Sequence, residues 1–267
     1  MQALPVPRSP VDRASASYVL RWGFDSLQGR LKKASAYVRR AFVAVIYHSW
    51  YNTAMEFRQL VEIVGDEPVF ETGLLLAGSA DPLDVRKQLS RWVKAGRLYQ
   101  LRRGLYALAP PFQKVKPHPF LIANRMVRGS YVSCQSALAH YGLIPEHVPV
   151  TTSVTTGRPA RWDTPLGSYE FRHIKPALWR GYRQLEVFSG QHAFVATPEK
   201  ALLDLIYLQP SGDRLDYLRE MRLQNLEDLD LDAFQRQAEL ANSPKLRRAT
   251  AWVVQLASAE ATEYETL

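Results

Sequence analysis

"PLDVRKQLSRWVKAGRLYQLRRGLYAL", residues 82–108, is one-sided in charge. From Arg86 to Arg103 it carries Arg86, Lys87, Arg91, Lys94, Arg97, Arg102 and Arg103, and no Asp or Glu. The segment starts as a helix should. Asp81 is a good N-cap, and Pro82 fits the first helical position, where its missing N–H costs nothing. Gly96 marks the C-terminus. At about 100° per residue, Val85, Leu89, Trp92 and Val93 share one arc. Lys87, Ser90, Arg91 and Lys94 occupy the opposite arc, with Arg86 and Arg97 on a flank. The spacing predicts an apolar back and a basic front.

The next residues predict a β-hairpin. Leu98 to Leu101 and Leu105 to Leu108 are rich in Leu and Tyr, and Arg102-Arg103-Gly104 separates them, with the glycine suited to a tight turn. Upstream, residues 56–64 and 70–77 show helical apolar spacing, split by Gly65-Asp66-Glu67-Pro68, and Gly78-Ser79 turns the chain before Pro82. Helix, helix, turn, helix, hairpin is the order of a winged helix-turn-helix. Its third helix enters the DNA major groove and its hairpin tip flanks the backbone. An acid in either element would face phosphate, which accounts for their absence. The expected DNA contacts are Arg86, Lys87, Ser90, Arg91, Lys94, Arg97, Arg102 and Arg103. Sequence alone does not sort phosphate contacts from base contacts among them.

Net charge over the whole chain is +8, but its distribution matters more. Residues 1–54 hold eight Lys/Arg against two Asp. Residues 55–111 are nearly balanced, with all seven acids placed before Arg86. One reading makes residues 1–54 a basic extension that adds nonspecific affinity for polyanions. The favoured reading starts translation at Met55, directly before the first expected helix, and makes residues 1–54 non-native. The longest apolar run, AFVAVIY, is too short to cross a bilayer, and no signal-peptide layout opens the sequence, so no membrane partner and a cytoplasmic location are expected. A single cysteine, Cys134, excludes an internal disulfide and a multi-cysteine zinc site, and is expected to be a buried small hydrophobe.

Residues 112–267 are expected to form a separate mixed α+β domain behind the proline-rich stretch at 109–120. Residues 133–141 suggest a helix ending at Gly142. Residues 150–156 are β-branched and strand-like, and residues 168–174, 182–188 and 192–196 suggest further strands. Thr197-Pro198-Glu199 reads as a helix start, and the ALLDLIYL that follows reads as buried. Two or three amphipathic helices with a break at Asn242-Ser243-Pro244 complete the chain. The expected fold class is therefore α+β: a winged helix-turn-helix at 55–111 and a distinct α+β domain with C-terminal helices at 112–267.

"YVSCQSALAHYGLIPE" (131–146), "TSVTTGRP" (152–159), "TPLGSYEFRHIK" (164–175), "GY" (181–182) and "ATPEKALLDLIYL" (196–208) follow one another in an order that resembles the AbiEi family of type IV antitoxins. The resemblance runs from about Met55 to Leu208 and includes "RLYQLRRGLYAL". It implies a winged helix that binds inverted repeats in double-stranded DNA of its own promoter and represses the operon. It also implies a C-terminal domain that counteracts a nucleotidyltransferase-type toxin without forming a stable complex with it.

Other classes have less behind them. The six histidines are scattered, and no HxxxH spacing, GxxxxGK[ST] loop or GxSxG elbow is present. His140 reads as a partly buried, hydrogen-bonded residue. Asp163 followed by Glu170-Phe171-Arg172 approaches the carboxylate pattern of metal-dependent nucleases. Arg172, however, stands where a proton-transferring Lys would be required. Glu199-Lys200 reads as a structural pair at a helix start. No catalytic residue, metal or cofactor is expected. The main alternative function is a winged-helix transcription factor whose C-terminal domain senses a ligand or dimerises.

Overall fold

Two local signals set the first long helix. The Asp81 carboxylate accepts hydrogen bonds from the Leu83 and Asp84 backbone N–H groups at 2.7 and 3.4 Å, and Pro82 occupies the first turn. At the other end Gly96 takes φ +69°. Its N–H reaches the Val93 carbonyl, and the Arg97 N–H reaches the Trp92 carbonyl, a pair of bonds that closes a helix C-terminus. The computed structural model describes residues 55–76 and 81–265, with side chains to residue 259. The basic extension and the turn expected at Gly78-Ser79 lie outside the described residues.

In chain order the first half comprises α1 (Phe57–Val64), β1 (Phe70–Glu71), α2 (Thr72–Leu75), α3 (Pro82–Lys94), β2 (Leu98–Arg102) and β3 (Leu105–Leu108). The stretch expected to be helical from residue 70 instead begins as a strand. Phe70 pairs with Tyr106 and Glu71 with Leu105, so β1 covers the free edge of the hairpin in an antiparallel β1-β3-β2 sheet. The Phe70 and Tyr106 rings stack with centroids 5.8 Å apart. Val85, Leu89 and Trp92 on α3 are buried, and Phe57 meets the Trp92 ring edge-on.

All four residues of β3 are buried. An unbroken apolar LYAL, with no alternation, is what a strand covered on both faces requires. Leu105 and Ala107, with Val69 and Leu101, belong to the same buried cluster as Ile122, Tyr131 and Phe171 from beyond the proline-rich segment. Packing therefore continues across that segment. On the surface Arg128 Nη2 donates to both Glu71 carboxylate oxygens (2.9 and 2.7 Å), and the ion pair of Lys114 with Asp66 (3.2 Å) makes a further link. From Glu56 onward the chain is one compact unit.

The second half comprises α4 (Pro119–Met126), β4 (Ser130–Val132), α5 (Cys134–His140), β5 (Val150–Thr155), β6 (Ala160–Thr164), β7 (Gly167–His173), β8 (Tyr182–Phe188), β9 (Gln191–Ala196), α6 (Pro198–Leu208), α7 (Leu215–Glu220), α8 (Leu231–Leu240) and α9 (Pro244–Glu265). A mixed six-stranded sheet runs β6-β7-β5-β4-β9-β8, with β4–β9 and β5–β7 parallel and the other pairs antiparallel. The fold is mixed α+β. Thr197 caps α6 by accepting from the Lys200 N–H. From Glu199 to Ile206 every residue of α6 is buried, as a helix apolar on nearly all sides demands. The proline-rich segment is shorter than its composition suggests, because α4 begins at Pro119 with His118 as its cap: the ring Nδ1 accepts from the Phe120 N–H at 3.2 Å. Among the described residues no helix is long and apolar enough to cross a membrane.

Candidate nucleic-acid interface

The eight residues expected to touch DNA are all exposed. Lys87, Ser90, Arg91 and Lys94 lie on α3 opposite its buried face, with Arg86 on the flank. Arg97 follows the helix, Arg102 ends β2, and Arg103 sits in the turn between β2 and β3. Gly104 completes the turn at φ +85°, and its carbonyl accepts from the Thr72 N–H at 3.0 Å, which ties the hairpin tip to α2.

Several of these cations are oriented by their neighbours without being buried. Lys87 lies 3.2 Å from Asp84 in an exposed pair. Such a pair contributes roughly 0–1 kcal/mol, so Lys87 is free to exchange it for a phosphate. Arg91 donates to the Gln88 side-chain carbonyl at 3.3 Å. The Arg97 guanidinium sits 5.1 Å from the centre of the Phe57 ring, a cation–π contact with α1. Burial raises the Tyr106 phenol above its ordinary pKa, a hydrogen bond with Thr72 opposes the rise, and the nearby Arg86 charge opposes it further. The arrangement is an acid-poor helix face with cations available to phosphate oxygens.

A second constellation was not anticipated from sequence. Lys200 and Asp204 pair inside the core, with side chains only 4% and 1% exposed. The other Asp204 oxygen accepts from the Tyr131 hydroxyl at 3.0 Å and the Ser133 hydroxyl at 2.8 Å. Burial raises the Asp204 pKa, while the Lys200 charge and the three hydrogen bonds pull it back. Two separated stretches, "YVSC" and "PEKALLD", therefore meet at one carboxylate. The signal was present as Lys and Asp four residues apart inside an otherwise apolar helix, a spacing that places both on one face. Glu199 is also buried, and its carboxylate accepts from the Asp230 N–H at 3.2 Å, joining α6 to the start of α8. Cys134 is buried, and that burial pushes its thiol pKa up, away from the reactive thiolate.

Asp163 and Arg172 of the nuclease-like pattern have ordinary partners. Asp163 accepts from the Ser168 hydroxyl at 2.6 Å and lies 3.9 Å from Arg161. Arg172 donates to the Leu208 carbonyl at 3.2 Å. His140 is exposed as a residue, but its ring packs edge-on to Phe120 and Tyr141. Among the described residues no three His, Cys, Asp or Glu side chains cluster in a way that could hold a metal ion. No family model matches this chain, and no curated protein matches it.

Proposed function

We propose that this chain is a DNA-binding regulator that represses its own operon and serves as the antitoxin of a type IV toxin–antitoxin pair. In this reading residues 55–111 are a winged helix-turn-helix. The α3 front enters the major groove, and the Arg102-Arg103 turn lies on the flanking backbone as the wing. One observation carries the DNA half of the reading. Every cation of the acid-free run is exposed, while Val85, Leu89 and Trp92 on the reverse of the same helix are buried. The antitoxin half rests on the ordered motifs from Tyr131 to Leu208 that resemble AbiEi proteins. By that resemblance residues 112–267 counteract a nucleotidyltransferase toxin in the cytoplasm without stable complex formation.

Fluorescence anisotropy on a labelled fragment of the chain's own promoter tests the first half. Arg91→Ala with Lys94→Ala is expected to weaken binding strongly at constant salt while leaving the fold intact. Unchanged affinity removes α3 from the interface. Co-expression with the neighbouring open reading frame tests the second half. Growth rescue is expected, and continued arrest in the presence of folded protein rejects the antitoxin role.

A further inference from the structure

We propose that a groove between β5, β7, α6 and α7 binds a small organic cation with an apolar body. The groove is open to solvent, with a volume of about 540 Å³, and is lined by Glu146, Glu170, Glu220 and His147 over a floor that includes Leu205 and Met221. That volume lies in the range of roughly 300–1,000 Å³ typical of small-molecule sites. Leu205 is 1% exposed, so the floor is part of the core and not a loose surface patch.

The carboxylates have little else to do. Glu146 lies 3.9 Å from Arg222, and both side chains are largely solvated, so that pair yields readily. Glu170 and Glu220 make no ion pair and no side-chain hydrogen bond with another described residue. Arg172, on β7 beside Glu170, donates to the Leu208 carbonyl and forms no ion pair with the groove carboxylates. Thr152 supplies an independent pointer. It is 7% exposed, it lines the groove, and it is the direct strand partner of Glu170 in the parallel β5–β7 pairing. Its backbone N–H donates to the Ser136 hydroxyl, but its own hydroxyl bonds to no other described residue.

Each feature narrows the ligand. An apolar floor calls for an apolar body, and three carboxylates exclude an anion. The Thr152 hydroxyl and the Glu170 carboxylate, side by side, accept N–H bonds from one ammonium or amidinium head. A neutral molecule leaves the Glu170 charge without a partner where water has been displaced, which costs more than pairing it.

The test uses the full chain, amide NMR shifts and calorimetry, with 2-phenylethylammonium as the probe and 2-phenylethanol and 3-phenylpropionate as its neutral and anionic counterparts. The ammonium is expected to bind saturably and shift residues around Thr152, Glu170 and Met221. The alcohol is expected to bind at least about tenfold more weakly, the effect of losing a charge-assisted hydrogen bond, and the acid not at all. Glu170→Gln and, separately, the exposed Glu220→Gln are expected to weaken the ammonium selectively, so a folding defect in one variant does not remove the test. Equal affinity for ammonium and alcohol, no binding by the ammonium, or shifts elsewhere in the chain overturns the site. No DNA enters this experiment, so its failure leaves the regulator reading untouched.

Discussion

Lys200 and Asp204 stand one helical turn apart on α6 and pair where neither side chain reaches water. The remaining capacity of the carboxylate is taken up by Tyr131 and Ser133, on β4 and just beyond it. A buried charge pair of this kind gives modest net stability, but half of it is very unfavourable, because the surviving charge has no solvent. Helix α6 is thereby locked in register with the centre of the six-stranded sheet.

Lys200→Met is accordingly expected to cost about 3–5 kcal/mol by urea unfolding, the penalty of a stranded buried charge. Adding Asp204→Asn should recover a substantial part of the loss. The amide removes the charge and keeps an oxygen for the two hydroxyls. If the double variant is no more stable than Lys200→Met alone, the network is not governed by charge pairing.

The hairpin tip is testable through salt. Arg102→Ala with Arg103→Ala should weaken binding to every DNA sequence alike. The slope of log affinity against log salt should flatten by about 0.9 for each phosphate that the variant leaves unneutralised. An unchanged slope removes the tip from the interface.

Leu105 joins the small sheet to the larger buried cluster. Leu105→Ala should therefore cost about 2–5 kcal/mol, the range for emptying a buried leucine site. It should shift a single unfolding transition monitored both by tryptophan fluorescence and by far-ultraviolet circular dichroism. Two separated transitions, of which only the first moves, would show the halves to be energetically independent.

His118 links stability to pH. Its ring caps α4 through an unprotonated Nδ1, and burial, aided by the neighbouring His140 charge, holds its pKa below the ordinary 6.5. The unfolded chain therefore takes up this proton first as pH falls. The contribution of His118 is fully present above pH 6.5 and is lost from there down through the lower folded-state pKa. His118→Asn retains an acceptor for the Phe120 N–H without titrating. It should flatten the dependence of the denaturation midpoint on pH in that window, leaving the part due to His140, whose pKa is also lowered by burial. An identical pH profile in the variant rejects the cap as a titrating element.

Sequence by itself determined the features whose causes are local. Asp81 and Pro82 start α3 and Gly96 stops it through contacts within a few residues, and the charge of its exposed face is written directly in Arg86 to Lys94. The apolar α6 and the β-branched β5 were legible for the same reason, because their composition tolerates little besides a buried helix and a buried strand. Tertiary structure alone decided the rest. Phe70–Glu71 is a strand because Tyr106 and Leu105 supply its backbone partners, and β4 and β6 are short segments defined by the neighbours they pair with. The meeting of Tyr131 and Ser133 with Asp204, and of Thr152 with Glu170, joins positions separated by many residues of chain. Local propensity acts over one or two turns, whereas strand pairing and the burial of charge depend on groups that only the folded chain brings together.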